Sequence, residues 1–297
     1  PTNTNFALGT SIVTYTITAA NGQTASCSFN VVVNDCTAPV ITCPTAQPVF
    51  ECGSPTLEAD ITAWLATASA TDNCTLTPTE TVTRVNTINQ CGNTENRLYQ
   101  ITATDAAGNN SQCFVEVSIT DNTLPVITTA AANLTVQCDG NGNSDALINW
   151  LNTNGGAVAT DAACGNELTW SNNFTGLSNG CGGTGSTTVI FTVSDACGNT
   201  SQTTGIFSIE DTTNPTITAP TAITLLCGSA SNNAIVQGWL DSYRVSDACG
   251  NVTVTNNFTA LPTTCVSGSN VVTITFTATD ECGRTSTTTS TITLIDN

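Results

Sequence analysis

The side chains able to do chemistry in this chain recur in one kind of turn. DACGNTS runs from Asp195 to Ser201, DACGNVT from Asp247 to Thr253, DAACGNE from Asp161 to Glu167, and DAAGNNS, without the cysteine, from Asp105 to Ser111. An aspartate just ahead of such a turn has two uses. It can accept hydrogen bonds from the turn's own backbone, or it can offer a hard oxygen to a divalent cation. The cysteine can anchor a bridge, and the Gly-Asn that follows tolerates a positive φ.

Those turns repeat because the whole chain repeats. DCTAPVIT starts at Asp35, DNTLPVIT at Asp121 and DTTNPTIT at Asp211, and a final DN stands at 296–297. Spacings of 86, 90 and 85 residues (starts at 35, 121, 211 and 296) exceed solenoid periods and fit whole domains. The expected organisation is 1–34 as the last part of a truncated repeat, then repeats at 35–120, 121–210 and 211–295, with 296–297 opening another. The chain then reads as a piece cut from a longer one. Alternating apolar and small polar residues in 133–138, 186–195, 252–258 and 270–280 predict half-buried strands. ITAWL (61–65), LINWL (147–151) and VQGWL (236–240) each place an aliphatic residue, Trp and Leu on one helical face. The expected fold is all-β: tandem immunoglobulin-like β-sandwich domains of about seven strands, each with one short helix and stapled by disulfides. The Trp reads as a core anchor from its aliphatic neighbours, with a sugar-stacking platform as the alternative.

Composition narrows the chemistry. The net charge is −18, with four basic residues, all arginine, and no histidine. Such a chain repels nucleic acid and anionic membrane. No apolar run is long enough to span a bilayer. Without histidine or lysine there is no nucleophile–base pair and no lysine–asparagine cross-link, so an enzyme is not expected. The 15 cysteines lack metal-type C-x-x-C spacing, which favours disulfides in an oxidising, extracellular setting.

Comparing the repeats with one another suggests pairings. Cys43 and Cys113 occur together in the first repeat and are both absent from the others, which suggests one bridge between first and last strands. Sandwich topology suggests Cys52–Cys91 and Cys36–Cys74, Cys138–Cys181 and Cys164–Cys197, and Cys227–Cys265 and Cys249–Cys282. Cys27 is left over, its partner expected in the missing half of the leading repeat. The same topology gathers three aspartates at one end of each repeat: Asp35, Asp72 and Asp105; Asp121, Asp161 and Asp195; Asp211, Asp247 and Asp280, with Glu210 and Glu281 near the last set. Calcium bound there would relieve carboxylate repulsion and stiffen the joint; turn capping alone is the alternative.

The chain resembles the hyalin-repeat (HYR) and HYR-like immunoglobulin-fold modules, most closely in the first repeat through PVITCP (39–44) and YQITATDAAGNNSQCFVEVSITD (99–121). In that family the paired cysteines join the first and last strands, matching Cys43 and Cys113. The second and third repeats depart by lacking both. They look like tandem modules of large secreted surface proteins of Bacteroidetes-type bacteria, including gliding-motility adhesins. The resemblance implies export, cell-surface attachment and an extended fibre or adhesin stalk. The partners expected are neighbouring repeats of the same long chain, surface glycans or other filament chains. The alternatives are a glycan- or receptor-binding module and a filament subunit assembling by strand exchange through 1–34. Thr212, in DTT (211–213), is a candidate O-glycosylation site.

Overall fold

The computed structural model describes residues 5–161, 164–165, 167–265 and 269–296. The chain is all-β with a short helix in each repeat, and it divides into two compact units.

Unit 1 comprises Pro1–Leu124 together with two loops of the second repeat, Asp161–Glu167 and Asp195–Asn199. It opens with an antiparallel hairpin, Gly9–Thr18 with Thr24–Val33. The first repeat then builds a four-stranded sheet in the order Phe50–Glu51, Asn110–Thr120, Glu95–Thr104, Thr79–Asn89. The outermost pairing, Phe50–Glu51 with Asn110–Thr120, is parallel and the others are antiparallel. Val40–Thr42 and Ser69–Thr71 form a second, two-stranded sheet. Alternation sets the core: Tyr99, Ile101 and Ala103 point inward from one strand, and Val115, Val117 and Ile119 from its neighbour. The helix Leu57–Leu65 closes this core with Ile61, Trp64 and Leu65. Arg97 is a buried exception on the inner face, ion-paired with Glu58 at 2.7 Å and Glu95 at 2.6 Å.

Unit 2 contains the rest of the second repeat and the third. Each repeats the plan. The second repeat has Leu134–Gln137, Thr200–Glu210, Gly185–Ser194 and Thr169–Asn172 in one sheet, and Val126–Thr129 with Val158–Thr160 in the other. The third has Ile223–Leu226, Thr285–Ile295, Ser269–Asp280 and Val252–Asn256, and Thr216–Thr218 with Arg244–Ser246. The described strands number six per repeat rather than about seven.

The helices Ser144–Asn152 and Asn232–Leu240 insert Trp150 and Trp239 into the two cores. Trp150 meets Phe191 edge-on at 5.2 Å and Phe207 at 5.6 Å, and its Nε1–H donates to the Ala132 carbonyl at 3.0 Å. Trp239 meets Phe276 at 5.8 Å and donates to the Thr221 carbonyl at 2.7 Å. Trp64 is buried in the same way, against Phe50. These indoles are core anchors with their polar edge satisfied, and none is available to stack a sugar. Gly205 makes room for Trp150: a Cβ there would lie 2.8 Å from the indole Cζ2.

Candidate functional site

The repeated turn is first of all a clip. Asp195 Oδ1 accepts from the Cys197 and Asn199 backbone N–H groups at 2.8 and 2.9 Å, and Oδ2 accepts from Asn199 Nδ2 at 2.8 Å. Asp105 does the same with Ala107 and Asn109. The Asn then reaches outward: Asn109 Nδ2 donates to the Asp35 carbonyl at 3.2 Å and Asn199 Nδ2 to the Asp121 carbonyl at 3.1 Å. In the third repeat Arg284 takes this place, its Nε donating to the Asp211 carbonyl at 2.8 Å. One turn residue thus ties the start of each repeat to its last hairpin.

Burial works to raise the Asp105 and Asp195 carboxyls, but the turn hydrogen bonds outweigh it and hold both below the ordinary carboxylate value. The folded state therefore holds their protons less tightly than the unfolded chain. Their stabilisation is present above the unfolded value, ~3.9, and is lost as pH falls through the lower folded value. Asp195→Asn is expected to be less stable than the parent at pH 6 and to lose less on going to pH 3, read by thermal melts. A parallel loss in both proteins would contradict this.

The aspartates gather in two of the three sets. Carboxylate oxygens of Asp35, Asp72 and Asp105 lie within 4.8 Å of one another, as do those of Asp121, Asp161 and Asp195. Among the described residues, Asp211, Asp247 and Asp280 do not group at that spacing; Asp211 lies with Cys138 and Cys249, as Asp121 also does with Cys52 and Cys164. Several of these carboxylates use one oxygen locally and leave the other bare. Asp35 Oδ1 accepts from Thr37 N–H, and Asp72 Oδ2 accepts from Cys74 and Thr75 N–H. Asp35 Oδ2 and Asp72 Oδ1 are buried with no hydrogen-bond partner, as are Asp211 Oδ2 and Asp280 Oδ2. Unpaired buried oxygens are costly. Burial raises the Asp121 carboxyl, and the charges of Asp195, Asp161 and Glu51 add to that. An oxygen-rich, self-repelling set of this kind fits a hard divalent cation.

The cysteines follow the expected within-repeat scheme only in part. Cys43–Cys113 and Cys227–Cys265 are bonded. Otherwise the bridges join successive repeats: Cys52–Cys164 and Cys91–Cys197 in unit 1, Cys138–Cys249 and Cys181–Cys282 in unit 2. Their Cα–Cα distances run from 5.0 to 5.8 Å, within the normal span. These replace the expected Cys52–Cys91, Cys138–Cys181, Cys164–Cys197 and Cys249–Cys282. The reason is packing: Cys164 sits in the first repeat's core and Cys249 in the second's, both fully enclosed. Cys36 and Cys74 are unbonded and exposed, as is Cys27. Cys74 holds the position of Cys164 and Cys249, whose partners are strand-end cysteines of the preceding repeat, which explains why Cys36 is not its partner. Partial desolvation, then the charges of Asp35 and Asp72, push the Cys74 thiol up, so it stays protonated.

No family model matches the chain, and no curated protein matches it. Among solved structures it is similar to tandem cadherin ectodomains. Protocadherin gamma-B7 EC3–6 has 10% identity and a TM-score of 0.33, over 97% of this chain and 85% of that one. Drosophila N-cadherin EC1–4 has 10% identity and a TM-score of 0.29, over 97% and 83%. Mouse cadherin-23 EC22–24 has 10% identity and a TM-score of 0.27, over 88% and 99%.

Proposed function

We propose that this chain is a segment of a long extracellular fibre or adhesin stalk of the HYR-like kind, in which successive β-sandwiches are locked together by disulfides and bind calcium at their acidic turns. The observation that carries the reading is the pair of bridges at each of two successive repeat boundaries. Covalent links spanning 101 to 112 residues let tension bypass the folded repeats. Thr-rich exposed strands and a net charge of −18 suit a soluble, non-sticky shaft. No described helix is long and apolar enough to cross a membrane. Pulled end to end, the unreduced chain should release far less length than the same chain in dithiothreitol. Equal extension before and after reduction would sink the reading.

The calcium part has its own test. The bare buried oxygens of Asp35 and Asp72 support it in the first repeat, and the Asp121 set in the second. Calcium at 100 times its dissociation constant is expected to add about 2.7 kcal/mol, reversed by EDTA. Calorimetry showing no heat and no melting shift would remove calcium and leave the staples standing.

A second reading, self-assembly by strand exchange, is supported by the leading hairpin. Ile12, Tyr15, Ile17, Phe29 and Val32 are exposed along it. An apolar two-stranded ribbon is a ready partner for another sheet. Concentration-dependent association abolished by Ile17→Asp would favour it over truncation.

A further inference from the structure

The three repeats show one cysteine pair in two bonding states. Cys52, Cys138 and Cys227 are equivalent: each follows the first strand of the larger sheet, and each donates its N–H to the end of the last strand, to Thr120, Glu210 and Ile295 respectively, all at 2.9 Å. Cys91, Cys181 and Cys265 are equivalent too, each lying just ahead of the long strand that pairs with that last strand. In the first two repeats both members of the pair are bonded to loop cysteines of the following repeat. In the third they are bonded to each other. The pair is therefore close enough to close on itself wherever no loop engages it.

The residue after the second member of the pair differs in step with this. It is Gly92 in the first repeat, Gly182 in the second and Val266 in the third. Both glycines have positive φ, +55 and +53. Both lie against the carbonyl of the arriving loop cysteine: a Cβ on Gly92 would come within 2.5 Å of the Cys164 oxygen, and one on Gly182 would overlap the Cys249 oxygen. The first docking also uses that carbonyl directly, since Asn93 N–H donates to Cys164 O at 2.8 Å. Around each glycine the sequence is Cys-Gly-x-Thr, and Thr94 and Thr184 close the turn by donating to the Cys91 and Cys181 carbonyls. The third repeat reads Cys265-Val-Ser-Gly instead.

We infer that this position is the selector of repeat coupling: glycine admits the Asp-Cys-Gly loop of a following repeat and yields two bridges between repeats, whereas a side chain there excludes the loop and the pair closes within its own repeat. The two outcomes contain the same number of S–S bonds. Cys138–Cys249 plus Cys181–Cys282 becomes Cys138–Cys181 plus Cys249–Cys282 by thiol–disulfide exchange, with no net oxidation. The inference rests on the stapled-stalk reading.

The test is disulfide mapping by mass spectrometry on the intact chain, acid-quenched and alkylated without reduction. The parent should give the four bridges between repeats; if it does not, the stalk reading fails first and separately. Gly182→Val should replace Cys138–Cys249 and Cys181–Cys282 by Cys138–Cys181 and Cys249–Cys282, leaving Cys52–Cys164, Cys91–Cys197 and Cys43–Cys113 as internal controls. Retention of the parental pairing in a variant whose controls are intact overturns the selector. Should the variant misfold, Cys249→Ser combined with Cys282→Ser decides the other half. Cys138 and Cys181 are then expected to bond each other, giving no more reactive thiol than the parent. Two added reactive thiols would overturn it.

Discussion

Replacing Cys138 and Cys249 together by alanine is expected to lower the stability of unit 2 by about 4–5 kcal/mol, read as a lowered urea midpoint, with m rising as the unfolded chain loses a cross-link. The bridge closes a separation of 111 residues, and chain-entropy estimates for loops of that size reach about 4.7 kcal/mol. Both cysteines are buried, and Cys249 packs into the second repeat's core beside Cys138. Removing both avoids a stray thiol that would attack Cys181–Cys282. The Cys43–Cys113 bridge in unit 1 should be untouched. An unmoved midpoint would mean that the bridge does not constrain the unfolded chain, and the stapled shaft would lose its support.

Trp150→Ala carries the second large effect, about 3–5 kcal/mol for truncating a buried aromatic. The indole fills the space left by Gly205, between Phe191 and Phe207, and its N–H serves the Ala132 carbonyl. Trp150→Phe keeps most of the area and loses that hydrogen bond, so it should cost less, nearer 1–2 kcal/mol. Leu76→Ser, at a side chain 97% exposed, should change almost nothing. A stable Trp150→Ala protein would return the residue to a surface role such as sugar stacking.

Much of this molecule could be read from periodicity. Alternation in 186–195 and 270–280 anticipates the strands Gly185–Ser194 and Ser269–Asp280. The aliphatic-Trp-Leu spacing anticipates helices whose buried side includes Trp64, Trp150 and Trp239. These signals are local, since a side chain's face follows from the backbone period alone. The turn capping by Asp105 and Asp195 was equally legible, because donor and acceptor lie within four residues.

The partners of the cysteines were legible only in part: Cys43–Cys113 and Cys227–Cys265 are bonded as expected, the others are not. Lining up the repeats shows which cysteines are equivalent, and equivalence leaves pairing within a repeat and pairing to the next one equally consistent. Packing decides, by burying Cys164 beside Cys52 and Cys249 beside Cys138. The same holds for the acids: three sets are equivalent in sequence, yet among the described residues only the first two converge. Sequence by itself determined the repeat, the strand and helix pattern, and the chemistry on offer at each turn. Only the tertiary structure decided which turn meets which strand end, because that depends on contacts more than a hundred residues apart in the chain, which no local period encodes.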